Sequence, residues 1–455
     1  MKYLFFISAV LGMLPAVLVL ICERYLIRLA ALGLILPLTF FNSTSINFFS
    51  KETYRGTSRG LEISIIYIIA VILICTLFII KGWQKPFPDR GSRIYLLYFL
   101  CGLPSLYNAG GHTVSIFEIW KMIMIYLVFI ALYYYLKYSE GDFDIIIYGA
   151  AFLVTVNFFK ILYQHFSGFY QPKGIFPHQN SMAMFMMMTA LLFFSRYFNN
   201  REKWKSTLFF IVFGMAAVAL VRTYSRGAIA CFPIAGMITV LCSLRYTFSA
   251  RKMYVTAFIG IVAIAAILFF IPRIVERFQT APSASAQTRK NLALSAKNMI
   301  VDKPIIGVGI NNWGIKINPP FEYNENRAKR LQNQDSEEEF KDGIVETVYL
   351  LIGAECGLPC LILFLCWMGY YWVISLKLVK KLQTTKYFYI PAASLGGLTG
   401  VMLQSTLEWV LKQQINFMQL VTVFAFISYL NHHYRELVAA AQAPQPDPAR
   451  IEEKA

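Results

Sequence analysis

Five arginines and two glutamates carry most of the chemistry this sequence can express. Arg55 and Arg59 lie in "YRGTSRG", Arg222 and Arg226 bracket "TYS", and Arg289 stands beside Lys290 in "QTRKN". An arginine presents a rigid fork of donors that matches phosphate oxygens, and it stays charged in partly dry surroundings. Several of them converging read as a clamp for a phosphate or diphosphate. The plainer alternatives are lipid headgroups, or pairing with Glu322, Glu337 and their neighbours. Glu346 and Glu355 sit in "GIVETVYLLIGAECGLP", residues 343–359, where an apolar helix begins. An acid in or near hydrocarbon is costly and is a functional candidate by default. "GIFPHQNSMA" adds His178, Gln179 and Asn180 at the start of another apolar run. His178 suits either proton transfer or a hydrogen-bonded helix cap.

The elements that position these residues follow from composition. The chain has 455 residues, 57% hydrophobic and only 15% charged, too little polar surface for a soluble protein of this length. Apolar runs long enough to cross a bilayer recur from end to end. The reading is an all-α polytopic membrane protein with about 12–13 spans. They fall near 3–21, 25–41, 61–80, 92–107, 116–136, 145–164, 180–198, 206–222, 226–244, 253–271, 346–376, 388–408 and 414–431. The first run is read as a retained span, since no small-residue cleavage site precedes Cys22–Arg24.

The net charge of +17 is explained by orientation rather than by nucleic acid. Most basic residues cluster in alternate short loops, which are therefore cytoplasmic. That assignment leaves 42–60, 108–115, 166–179, 222–226 and 272–343 facing outward, together with the arginines named above. It also predicts N-terminal spans over 1–271, a large outward loop over 272–343, C-terminal spans over 344–433 and a disordered cytoplasmic tail over 434–455. In the loop, "TRKNLALSAKNMI" has helical spacing and Pro304 stops it. "GVGINN" supplies glycines for tight turns, and "ENRAKRLQNQDSEEEFK" suits a second, solvated helix. A loop of this size suggests an active-site cover.

Other chemistries find little support. Five scattered histidines give no metal-ligand spacing, and no Gly-rich Lys loop indicates ATP. "DFD" at Asp142–Asp144 reads as loop solvation. The eight cysteines lie mostly within apolar runs and read as small buried hydrophobes.

Four segments in order resemble the O-antigen ligase and polysaccharide polymerase superfamily of bacterial membrane glycosyltransferases. They are "GIFPHQN" at 174–180, "TYSRGA" at 223–228, Arg289 with "MIVDKPIIGVGINNW" at 299–313, and "VETVYLLIGAECGLP" at 345–359. The resemblance covers roughly 170–365. It implies a GT-C type membrane protein, its large loop over 272–343 periplasmic, that transfers an undecaprenyl diphosphate-linked glycan to an acceptor sugar at the periplasmic face of the inner membrane, without nucleotide sugar, metal or cofactor.

Arg226 and Arg289 match the family's arginines and are implied to grip the diphosphate, with Arg222, Arg55 and Arg59 as further ligands. Where the family usually has His-Asn, this chain has Glu346 and Thr347. A carboxylate can also act as general base, so Glu346 joins Arg226 and His178 as a catalytic candidate. Glu355, Asn180 and Tyr349 are read as supporting, Glu355 by pairing with an outward arginine.

The missing histidine favours a polymerase of lipid-linked repeats over a ligase acting on lipid A-core or protein. A transporter of the same lipid-linked glycan is the third reading, although internal repeats are not evident. The implied partners are the lipid-linked donor, an acceptor glycan, membrane lipids and a chain-length regulator.

Overall fold

A computed structural model describes residues 2–40, 44–199, 203–258, 260–261, 283–327 and 343–443. Among them, seven helices are long and apolar enough to cross a membrane, and the protein is an all-α, multi-pass membrane protein. The longest described helices are α6 (His112–Tyr138), α7 (Asp144–Phe166), α8 (Gln179–Asn199), α9 (Lys203–Arg222), α10 (Arg226–Tyr246), α14 (Leu358–Lys381) and α16 (Gln414–Gln442). Between the N-terminal helices α1 to α3 (Lys2–Leu11, Met13–Cys22, Leu26–Leu32) and helix α4 (Ile65–Lys81) lies a two-stranded antiparallel ribbon. Its strands β1 (Ser45–Phe48) and β2 (Leu61–Ser64) pair Ser45 with Ser64 and Phe48 with Leu61. The sequence reading gave no sign of it.

Helix α8 is the most enclosed, with Met182 to Ala190 almost wholly buried. Its neighbour α15 (Tyr389–Gln404) is lined with small residues, "AASLGGLTG", that let helices approach closely. At Gly396 a Cβ would sit 2.1 Å from Thr239 Oγ1 of α10, and at Gly400 one would sit 2.8 Å from Met187 of α8. Any larger residue there would push three helices apart.

The run read as one span over 346–376 is two helices. A short helix, α13 (Val348–Cys356), stops at Gly357 and α14 starts at Leu358. Gly357 has φ +85°, and a Cβ on it would lie 2.1 Å from the Ile305 carbonyl oxygen, so only glycine fits. The preceding helix α11 (Ser283–Asp302) and the segment after it dock against α13. Val308 and Gly309 donate to the carbonyls of Ala354 and Glu355 at 2.9 Å, and Leu358 donates to Pro304 at 2.8 Å. The helix expected over 288–300 is thus present and ends before Pro304. The second expected loop helix falls mostly outside the described residues, as does most of the span expected at 253–271.

Helix α16 continues through Gln442, beyond residue 434 where a disordered tail was expected. At that same end of the bundle, Asp142 and Asp144 are clipped rather than solvated. Asp142 meets Arg28 at 2.6 Å, and Asp144 meets Arg196 at 2.7 Å. The Arg196 guanidinium is itself packed over the Phe209 and Tyr389 rings.

Candidate active site

At the other end of the bundle, three separate segments bring a carboxylate pair and an arginine together. The first carries Arg289. Leu292, Ala296 and Met299 form an apolar stripe on α11, packed with Leu351 and Ala354 of α13 and with Val345, Val308 and Trp313. Arg289 lies three residues before Leu292, on the same helix face, and is thereby aimed at the start of α13. Its Nη2 meets Glu346 Oε2 at 2.8 Å and Glu408 Oε1 at 4.0 Å. Its Nε is buried with no hydrogen-bond partner among the described residues.

The second segment carries Glu346. Trp313 Nε1 donates to the Gly343 carbonyl at 3.0 Å, which anchors the approach. Val348 N–H and Thr347 Oγ1 then donate to the Ser405 carbonyl at 3.1 and 3.2 Å. Those two bonds tie the start of α13 to the third segment, the turn between α15 and α16, where Glu408 sits. Glu408 is buried, 6% exposed, and the Asn180 side chain hydrogen-bonds it. The Asn180 carbonyl accepts from Gln404 Nε2 at 3.3 Å.

Arg226 completes the cluster. Ser225 caps α10 by accepting from Ala228 N–H, so Arg226 occupies the first helical position. Gly227 lies in ordinary contact with Leu407, 3.5 Å from where its Cβ would be. That packing sets Arg226 beside the Glu408 turn, and its charge acts on both Glu346 and Glu408.

The electrostatics follow from this arrangement. Burial pushes the Glu408 carboxyl up to about 7, and the negative charge of Glu346 pushes the same way. The Asn180 hydrogen bond, Arg289 and Arg226 hold it back from rising further. Burial raises Glu346 too, opposed by Arg289 and Arg226. Two carboxylates this close to one guanidinium titrate as a pair and can hold a single proton between them near neutral pH. The site can therefore accept a proton, and it can present two guanidinium groups to an anion.

The other sequence candidates are placed as follows. His178 Nδ1 accepts the Asn180 N–H at 3.2 Å, the position of a cap at the start of α8. Neighbouring protein, and then Lys173, hold its imidazole below the ordinary range. Arg222 Nη1 meets His165 Nε2 at 3.1 Å, at the end of α7. Arg55 and Arg59 are exposed in the loop before β2, and among the described contacts neither reaches the carboxylate pair. Tyr349 donates to the Met402 carbonyl at 2.8 Å and so ties α13 to α15.

Among the described residues, Glu355 pairs with a lysine rather than an arginine. Its Oε2 meets Lys412 Nζ at 3.3 Å, and its Oε1 accepts from the Trp313 N–H at 3.2 Å. The reason is depth: Glu355 sits at the inner end of α13, fully buried, about 12–14 Å along the axis from Glu346 at 1.5 Å per residue.

Sequence reasoning missed Glu408, Lys412, Glu118 and Lys121. "TLEWVLKQQ" does carry a signal, an acid and a lysine four apart in a short turn between two apolar runs. "FEIWK" within α6 carries another, two ionisable residues inside a span.

Residues 210–365 match the family described as O-antigen ligase. That stretch is about a third of the chain, and it contains Arg222, Arg226, Arg289, Glu346 and Glu355 but not Asn180 or Glu408. No curated protein matches the chain. The arginines that converge on the pair thus lie on the segment that is similar to the O-antigen ligase family.

Proposed function

We propose that this protein transfers a glycan from an undecaprenyl diphosphate-linked donor to an acceptor hydroxyl, as a polymerase of lipid-linked repeats, at the periplasmic face of the inner membrane. The observation that carries the reading is the Glu346–Arg289–Glu408 cluster with Arg226 beside it.

In the proposed step the acceptor oxygen attacks the anomeric carbon of the donor. Its proton passes to the carboxylate pair, through Glu346, which is the more exposed of the two. The bond from the anomeric carbon to the phosphate oxygen breaks, and its electron pair leaves with the lipid diphosphate. One displacement inverts the anomeric centre. Arg226 and Arg289 take up the charge that develops on the leaving group, which is how positive charge is supplied without a metal. Asn180 holds Glu408 in place, and Glu408 sets how readily the pair takes a proton.

The matched family's description favours a second reading, ligation of finished glycan onto another acceptor. Both readings share donor, base and leaving group. The experiment incubates purified protein with an undecaprenyl diphosphate-linked repeat, alone and with a lipid A-core acceptor, beside Glu346→Gln and Arg226→Ala. A ladder of lipid-linked products, lost in both variants, supports the polymerase. Transfer only when the core acceptor is present supports the ligase. Unchanged transfer by Glu346→Gln removes that residue from the mechanism and moves attention to His178. No transfer with either acceptor rejects the reading.

A further inference from the structure

Four ionisable side chains lie buried below the carboxylate pair, outside the proposed chemistry. Lys121 Nζ meets Glu118 Oε2 at 2.7 Å, and Lys412 Nζ meets Glu118 Oε1 at 3.4 Å and Glu355 Oε2 at 3.3 Å. Lys121 also donates to the Lys412 backbone carbonyl at 2.9 Å. Ser58 and Thr57 hydroxyls donate to Glu118 Oε2 at 2.5 and 2.7 Å. The group holds two positive and two negative charges, and none of its members is more than 7% exposed.

Such a group is a poor source of stability, because desolvating four charges offsets most of their attraction. Its placement suggests another role. Glu346 and Glu355 stand at opposite ends of one stretch that includes α13, while Glu408 and Lys412 stand four residues apart on one turn. The stretch and the turn are joined twice. Near the site they are joined by Thr347 and Val348 to Ser405, and at depth by Glu355 to Lys412.

A single tie would let α13 pivot against the turn and change the gap between the two carboxylates. Two ties fix it. Glu355 adds a third element, since its side chain and backbone accept from Trp313 and Gly309, in the segment that follows the Arg289 helix. All three carriers of the site therefore meet at Glu355, and α6 backs them through Glu118 and Lys121.

We infer that Glu355 and Lys412 are positioning residues, whose buried bridge fixes the spacing of Glu346, Glu408 and Arg289; the inference rests on the function proposed above. The groups facing Glu408 are Glu346, Asn180, Arg289 and Arg226, so a change in spacing is readable in how Glu408 titrates.

The test uses the full chain in lipid nanodiscs. One variant, Glu355→Gln with Lys412→Gln, removes the bridge without leaving net charge. A second, Glu118→Gln with Lys121→Gln, removes equal charge and keeps the bridge. Infrared titration of the Glu408 carboxyl, assigned against Glu408→Gln, reads the spacing without any substrate. Turnover of the lipid-linked donor reads its consequence.

In the bridge variant, kcat should fall by about 100-fold, as misplacement on the order of 1 Å does, with KM within about threefold. The Glu408 titration should move to lower pH as Glu346 draws away. The second variant should keep both near wild type. Identical losses in the two variants would reduce the group to a brace for the fold. Unchanged titration and turnover in the bridge variant would overturn the inference outright. If the bridge variant does not fold, Glu355→Asp keeps the charge and shortens its reach, and the same pattern is expected at smaller size. Wild-type protein that turns over no donor would reject the proposed function, while the infrared titration still judges the bridge.

Discussion

At the scale of single residues, Glu408 governs how the site responds to pH. A carboxyl that titrates near 7 is mostly protonated below that pH and cannot take a proton. Transfer is therefore expected to rise as pH climbs through about 7, and Glu408→Gln should remove that rise. It should also slow transfer by about 100- to 10,000-fold, the usual span for losing an acid or base. Initial rates between pH 5.5 and 8.5 check both. The stability sign runs the other way. Because folding raises this carboxyl above its unfolded value, the folded state loses stability as pH rises from the ordinary carboxylate range toward 7. Melting curves in detergent should show that decline in wild type and a flatter profile in Glu408→Gln. Arg289→Lys keeps the charge but loses the planar guanidinium whose Nη2 meets Glu346 and lies 4.0 Å from Glu408, and about a 100-fold loss of kcat is expected. At this scale the sequence was half legible. Arg226 and Glu346 announced themselves as charged residues at span ends, and Arg289 as one at a helix start in the outward loop. Glu408 did not, because in sequence it closes an apolar run, and its burial beside Glu346 exists only once Ser405 is bonded to Val348.

At the scale of elements, two small devices decide whether the cluster forms. One is Gly357, which ends α13 with φ +85° hard against Ile305. Gly357→Ala adds backbone strain of about 1–3 kcal/mol to a collision with main chain, so a clear drop in melting temperature is expected, with transfer lost together with it. The other is Asn311. Its Nδ2 donates to the carbonyls of Ser58 and Val114 at 2.8 and 2.7 Å, and its Oδ1 accepts from the Thr57 N–H at 2.9 Å. Asn312 repeats the pattern with Ser115 Oγ and the Gly111 N–H, at 2.7 and 2.8 Å. Asn311→Ala strands buried polar groups, each costing about 1–3 kcal/mol; limited proteolysis in the 42–60 loop should become faster. The glycines of "GVGINN" were readable as turns, and Gly307 and Gly309 do take positive φ. The asparagines were not readable as clamps, since the N-terminal groups they hold lie 197 or more residues away. The split of 346–376 was missed for a related reason: hydropathy runs unbroken through Gly357, and the break comes from backbone geometry.

At the scale of the whole molecule, composition alone revealed a multi-pass membrane protein, and the loop charges predicted its orientation. A cysteine at Lys173, in an otherwise cysteine-free chain, should react with a membrane-impermeant maleimide applied from outside. One at Lys85 should react only after permeabilisation. Labelling in the opposite order would put the cluster on the cytoplasmic side and remove the proposed donor. What composition could not reveal is that the two halves of the chain finish one another. The Asn311 clamp holds groups 253 residues earlier, and the Lys121 side chain waits for a carbonyl 291 residues later. The consequence lies in the order of manufacture. At about 5–20 residues per second, the ribosome makes the loop at Ser58 roughly 13–50 s before Asn311 exists, and Lys121 waits longer still. Throughout that interval Lys121 and Glu118 are already made, with each other and the hydroxyls of Thr57 and Ser58 as partners but without Lys412. The newborn protein carries an unfinished interior until the turn at Lys412 is made and closes it.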